Sequence, residues 1–385
     1  MKRILSLDGG GIRGVFTLEV LVKIEELLRE YYAKQDAEKA KTFVLRDHFD
    51  FLAGTSTGAI IATCLCWGFS AEKVKSLYLE EGRKMFEKAS WRNPIRKLFF
   101  SHFDPGPLTA FLQNLFSEED GTPAKLSSHR LRNGEKKNLL MVVVRNHTTG
   151  SAWPLTNNPD AIFNDPKLPD CNAQIPLWQL VRASTAAPTY FPEERITLGE
   201  TEYVFMDGSI TPYSNPALIA ALTAILPGYR INWPAGPENI RLVSIGTLSF
   251  SSELTVSDPT LSLVYYAKNI PKALLQSIGW QQDYLCRCLG DCLFAERLDP
   301  VTLGGEKLDI EVGDLLAENP TSAPPPGRSW FSYVRYNRTF KKKEMQEILR
   351  EHPDLASLEA VDSIPHLMRL GKAYAEANVK LEHLI

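Results

Sequence analysis

"MKRILSLDGGGIRGVFTLEV", residues 1–20, runs from a short apolar strand signal through a glycine loop into apolar residues at helical spacing. Gly9, Gly11 and Gly14 satisfy G-x-G-x-x-G in the strand, turn and helix context that a dinucleotide-binding loop requires. Asp8 argues against that use, because it sets a carboxylate where two phosphates would have to lie. The acidic residue wanted about 20 positions further on is also missing, since counting from Gly14 leads to Lys34 in a polar stretch. The same exposed amides suit another anion, a short-lived oxyanion carrying about one unit charge.

Working outward, "FDFLAGTSTGAIIATCLCWG" (49–68) repeats the order of apolar strand, tight small-residue turn and apolar helix. Residues 71–88 and 106–116 read as helices, and "NLLMVVVRN" (138–146) as a fully buried strand. "IPLWQLVRASTAAP" reads as a helix ended by Pro188, and "YVFMDG" as a strand stopped by an Asp-Gly turn. A helix follows with Ser214 or Asn215 as its cap and Pro216 at its first position, then the buried strand "IRLVSIGT". Strands alternating with helices at this spacing predict an α/β fold, a three-layer α/β/α sandwich on a mainly parallel central sheet. Residues 1–250 form the expected catalytic domain, and 251–385 a helix-rich C-terminal extension packed on it, with no independent boundary.

Within the second βα unit, "GTSTG" matches G-x-S-x-G, with Gly54 and Gly58 two residues either side of Ser56. A nucleophile elbow needs glycines at those positions, because the strained serine backbone leaves no room for neighbouring side chains. The helix that follows aims its positive end at the serine. A serine hydroxyl also needs a base. The seven histidines all lie in polar segments or in the charged tail, where they read as solvated surface residues. Asp207, by contrast, ends a strand and is followed by Gly208. An Asp-Gly turn accounts for that pattern equally well, and a carboxylate serves as base only if burial raises its proton affinity.

The bulk properties exclude several classes. With 385 residues, 44% hydrophobic and 23% charged, the chain is long enough for a sizeable core, and a formal net charge of -3 gives no electrostatic case for a nucleic acid polymer. No apolar run approaches the roughly 18 residues of a membrane span, so the expected location is cytoplasmic. Six cysteines in so long a chain are too sparse for a disulfide framework. The cluster "CRCLGDC" (286–292) has no histidine at ligand spacing, so it reads as buried free thiols and no metal site is expected.

Taken together and in this order, "DGGGIRG", "GTSTG", "ASTAAPTYFP" and "MDGS" resemble the motifs of the patatin-like phospholipase family, over roughly residues 3–250. The resemblance implies Ser56 as nucleophile, Asp207 as its acid/base partner without histidine, and Gly9, Gly10 and Gly11 as oxyanion donors. It also implies a lipid acyl hydrolase without cofactor, with phospholipid as substrate and transient peripheral contact with the inner membrane surface. Ser209 departs from the family pattern, which usually has glycine or alanine after Asp-Gly. The family includes phospholipases, lysophospholipases and broader acyl hydrolases, and also bacterial antiviral effectors switched on by cyclic nucleotides, so a cyclic oligonucleotide activator and a homo-oligomer are both compatible with this chain. The rival classes are a nucleotide-dependent oxidoreductase, opposed by the missing ribose-binding acid, and a non-enzymatic sensor, which would not need Ser56.

Two further segments stand out. Residues 91–103, "WRNPIRKLFFSHF", mix aromatic and basic side chains as an interfacial flap would, or as a surface helix that buries its aromatics. "FKKKEMQEILREH" (340–352) reads as a solvated basic helix turn or a docking surface for phosphate.

Overall fold

The first strand, β1 (Lys2–Leu7), alternates its side chains between two apolar layers: Ile4 faces one, Leu5 and Leu7 the other. In this computed structural model the described residues are 1–85, 104–133, 138–188, 190–250, 263–296, 302–303, 306–307, 329–340, 342–352, 355 and 361–385. The strand β2 (Phe51–Thr55) repeats the alternation, with Phe51 and Ala53 on one side and Leu52 on the other. So does β3 (Leu139–Asn146), where Met141 and Val143 oppose Leu140, Val142 and Val144. A sheet buried on both faces needs apolar residues at every position, which is why these strands read as unbroken apolar runs.

The remaining strands of the nine-stranded sheet are β4 (Ser151–Thr156), β5 (Glu194–Leu198), β6 (Thr201–Asp207), β7 (Ile240–Ile245), β8 (Gly290–Phe294) and β9 (Phe331–Tyr336). Their order is β5-β6-β3-β2-β1-β7-β9-β8, with β4 paired to β3. The pairings from β3 through β2, β1, β7 and β9 to β8 are parallel, whereas β4, β5 and β6 pair antiparallel. One face carries α1 (Gly14–Ala33), α4 (Thr57–Trp67), α5 (Ala71–Met85), α7 (Leu177–Ser184) and α11 (Ile364–Asn378). The other face carries α8 (Ala217–Ile225) and the C-terminal end of α9 (Leu263–Leu289). Short helices α2 (Ala37–Lys41) and α3 (Leu45–His48), with α6 (Pro105–Leu115) and α10 (Lys342–Glu351), complete the set used here. The expected α/β/α sandwich is therefore the fold observed.

Several elements differ from the sequence reading. The C-terminal region supplies its expected helices α9, α10 and α11, and adds β8 and β9 to the sheet. The β9 sequence "FSYVRY" alternates aromatic and β-branched residues with short polar ones, a strand signal, and all six side chains are buried. The helix expected to end at Pro188 closes at Ser184, where Thr185 Oγ1 bonds back to the Arg182 carbonyl. Among the cysteines of residues 286–292, Cys286 is buried as expected, but Cys288, on the outward side of α9, and Cys292, on the thinly covered outer strand β8, are exposed. No group of three or more metal-ligating side chains occurs among the described residues, and no helix among them is long and apolar enough to cross a membrane. The 91–103 segment lies outside the described residues. Residues 342–351 form α10, an amphipathic helix.

Candidate active site

The site is assembled by strand register. β4 takes one edge of β3 over residues 141–146, so β2 and β6 must share the other. Coming from opposite directions, they end on consecutive positions, Thr55 opposite Val143 and Asp207 opposite Val144. Ser56, the next residue after Thr55, therefore meets Asp207 end-on. Its Oγ donates to Asp207 Oδ2 at 2.7 Å in a buried contact. Asp207 is thus at a strand C-terminus, as expected, but of an antiparallel strand that stops partway along its neighbour.

Ser56 has φ 54° and ψ -123°, a backbone conformation that non-glycine residues avoid. The turn is held by close backbone approach. A Cβ on Gly58 would lie 2.2 Å from the Leu7 carbonyl oxygen, and one on Gly54 2.2 Å from that of Gly58. Ser184 adds a fixed point: its Oγ accepts from the Ser56 N–H at 2.9 Å and donates to the Val143 carbonyl at 2.7 Å. This positioning residue lies within "ASTAAP", a block that the sequence reading quoted without giving Ser184 a task.

Asp207 is almost wholly buried, and burial pushes its carboxyl up to about 6. Hydrogen bonds from Ser56 and from the Ser209 N–H (2.7 Å to Oδ1), and the positive charge of Arg182, pull the other way without cancelling the burial effect. Gly208 follows it directly, and Ser209 at the departed motif position still gives the carboxylate its backbone donor. Among the described residues no histidine bonds to Ser56 or Asp207. Two histidines expected at the surface are nevertheless buried: His48 contacts the Tyr32 hydroxyl and the Leu384 carbonyl, and His383 the Tyr336 hydroxyl. Each serves chain packing away from Ser56.

The glycine loop lies against this hydrogen-bonded pair, with a Cβ on Gly9 only 3.3 Å from Ser56 Cβ. Its three amides are not equivalent. The Gly9 N–H donates to the Ser214 carbonyl at 3.0 Å, so it is engaged inside the protein and, contrary to expectation, is not a free donor beside the other two. The N–H groups of Gly10 and Gly11 have no acceptor among the described residues. Thr247 Oγ1 donates to the Gly9 carbonyl at 3.0 Å and packs where a Gly10 side chain would go. The Gly11 carbonyl accepts from Tyr78 (2.6 Å) and Thr57 (2.9 Å) hydroxyls, and Gly14 opens α1 beside Thr57. Asp8 turns beneath the loop and pairs with Arg335 on β9.

The model of the family described as patatin-like phospholipase matches residues 5–221. The chain belongs to the patatin-like phospholipase family. It is 28% identical over 258 residues to a cGAMP-activated phospholipase of Escherichia coli (strain TW11681), covering 66% of this chain and 64% of that one. It is 27% identical over 265 residues to a cGAMP-activated phospholipase of Vibrio cholerae, covering 66% of each. With patatin-17 of Solanum cardiophyllum the identity is 24% over 366 residues, covering 85% and 86%. The match thus spans slightly under two thirds of the two bacterial relatives' length. The patatin-like match ends before β7, Thr247, β9 and Arg335, so part of the scaffold under the loop comes from outside it.

Proposed function

We propose that this chain is a serine lipid acyl hydrolase of the phospholipase A type, cleaving fatty-acyl esters of membrane phospholipids through a Ser56–Asp207 dyad and an acyl-enzyme. The observation that carries this is the 2.7 Å bond from Ser56 Oγ to a buried carboxylate. Asp207 takes the Ser56 proton as Oγ attacks the ester carbonyl carbon, and the carbonyl oxygen becomes an oxyanion held by the Gly10 and Gly11 amides. The carbon–oxygen bond to the leaving alcohol breaks, and Asp207 returns its proton to that alcohol. A water molecule then gives a proton to the same carboxylate, attacks the acyl carbon, and releases the fatty acid as Ser56 is reprotonated. A carboxylate can act as base here because its proton affinity is raised to about 6.

On this reading the enzyme works in the cytoplasm, in peripheral contact with the inner membrane surface, and the names of the two bacterial relatives support a cyclic oligonucleotide as activator. The test is release of fatty acid from mixed phosphatidylethanolamine and phosphatidylglycerol vesicles, with and without a cyclic dinucleotide. Hydrolysis only with the nucleotide is the expected result. Equal hydrolysis without it makes the enzyme a constitutive phospholipase, hydrolysis of lysophospholipid or soluble esters but not of the vesicles makes it a constitutive lysophospholipase or carboxylesterase of broad specificity, and no hydrolysis under any condition, with Ser56 unlabelled by a fluorophosphonate, removes the hydrolase reading.

A further inference from the structure

The glycine loop carries a charge that its own surroundings do not balance. Asp8 is buried at the end of β1 and immediately precedes Gly9. Its carboxylate accepts from no amide of the loop. It accepts instead from Arg335, Nη1 to Oδ1 at 2.9 Å and Nη2 to Oδ2 at 2.5 Å, and both side chains are nearly inaccessible to solvent. The register explains the reach: Arg335 pairs with Ser244 of β7, and Ser244 pairs with Ser6 of β1, so the guanidinium extends across β7 on the face that carries Asp8. On the way Nη1 also donates to Ser244 Oγ at 2.7 Å. A planar fork meeting a carboxylate with two bonds fixes orientation as well as distance, which a single contact does not.

We propose that Arg335 is a positioning residue for the glycine loop: its two-pronged hold on Asp8 sets the direction of the Gly10 and Gly11 amides, so the C-terminal region controls transition-state binding at Ser56. The inference rests on the reading of those amides as oxyanion donors. Ser214, Thr247, Thr57 and Tyr78 hold the loop through neutral hydrogen bonds at Gly9 and Gly11, and Arg13 Nε donates to the Gly10 carbonyl at 3.3 Å from the loop's own exit. Arg335 holds the residue from which the loop departs. It is 327 positions away in sequence and lies beyond the family match, which contains Ser56 and Asp207 but not the partner of Asp8.

The experiment compares wild type with Arg335→Gln in the full chain, counting competent sites by endpoint labelling of Ser56 with a fluorophosphonate and expressing turnover of a soluble ester per labelled site. The expected result is a kcat per labelled site lower by about 10- to 100-fold with KM little changed, somewhat less than the loss of a whole oxyanion donor. Inhibition by a trifluoromethyl ketone, whose adduct with Ser56 carries an oxyanion, weakens by the same factor. Unchanged kcat per labelled site overturns the proposal, since a role in folding alone lowers the number of sites and not their rate. If Arg335→Gln does not fold, Arg335→Lys keeps the charge without the fork, and wild-type turnover per site in that variant overturns it equally. Ser56→Ala and Asp207→Asn report separately: if they remain active, the underlying dyad reading fails, whatever Arg335 does.

Discussion

Thr55 and Asp207 end two oppositely directed strands on adjacent residues of β3, Val143 and Val144. Ser56 and its carboxylate are thereby brought together by backbone hydrogen bonding of three strands, across 151 positions of sequence. On the proposed mechanism the base is thus delivered by strand register rather than by a loop.

Asp207→Asn tests the role of that carboxylate. The amide is isosteric, accepts from the Ser209 N–H and can donate to Ser56, yet it takes up no proton. Ester hydrolysis is expected to fall by about 100- to 10,000-fold, the range for a lost general base. Near-wild-type turnover in a variant with an unchanged circular dichroism spectrum would remove Asp207 from the mechanism.

On the proposed mechanism the same carboxylate sets the pH dependence. Only ionised Asp207 accepts the serine proton, so kcat/KM rises roughly tenfold per pH unit below about 6 and flattens above it. Stability runs the other way. The folded chain holds this proton up to about pH 6 whereas the unfolded chain releases it near 3.8, so ionising Asp207 costs folding free energy as pH rises through that window. Asp207→Asn escapes that cost and is expected to be more stable than wild type by about 1–3 kcal/mol at pH 7, with the difference gone below pH 4. Urea melts at the two pH values measure this, and an equal gap at both would contradict it.

What the sequence made legible follows from where each signal is local. Ser56 and the loop glycines were readable because a strained turn and a close backbone approach allow few residue types. Asp207 was readable as a strand end, but its antiparallel direction was not, because an Asp-Gly turn looks the same whichever way its strand runs. Ser184 and Arg335 carried no readable role, since each acts through a partner more than 100 positions away. The engagement of the Gly9 amide was hidden for the same reason: three consecutive glycines look alike until the Ser214 carbonyl accepts the hydrogen bond of one.

Ser184→Ala removes a hydroxyl that bridges the Ser56 N–H and the Val143 carbonyl, leaving both groups buried without it. The expected destabilisation is about 1–3 kcal/mol. Because the lost contact orients the strained residue itself, kcat should also fall, by about tenfold, with KM nearly unchanged. A melting-temperature drop without any change in kcat would reduce Ser184 to a packing role.

Gly58→Ala tests whether the elbow depends on contact between α4 and β1. The added methyl would lie 2.2 Å from the Leu7 carbonyl oxygen and 2.7 Å from that of Asp8, so the helix must move away from the strand. Both obstructing atoms are backbone at the C-terminal end of the central strand β1, and neither can rotate aside as a side chain would. Leu7 and Asp8 also lead into the glycine loop, so a displaced helix separates Ser56 from Gly10 and Gly11. The expected outcome is a loss of about 2–4 kcal/mol in stability, in the range of severe core overpacking. Fluorophosphonate labelling of Ser56 should slow in the fraction that still folds. Wild-type labelling rate and melting temperature together would mean that the turn relaxes without moving α4, and that the glycine is dispensable to the nucleophile's geometry.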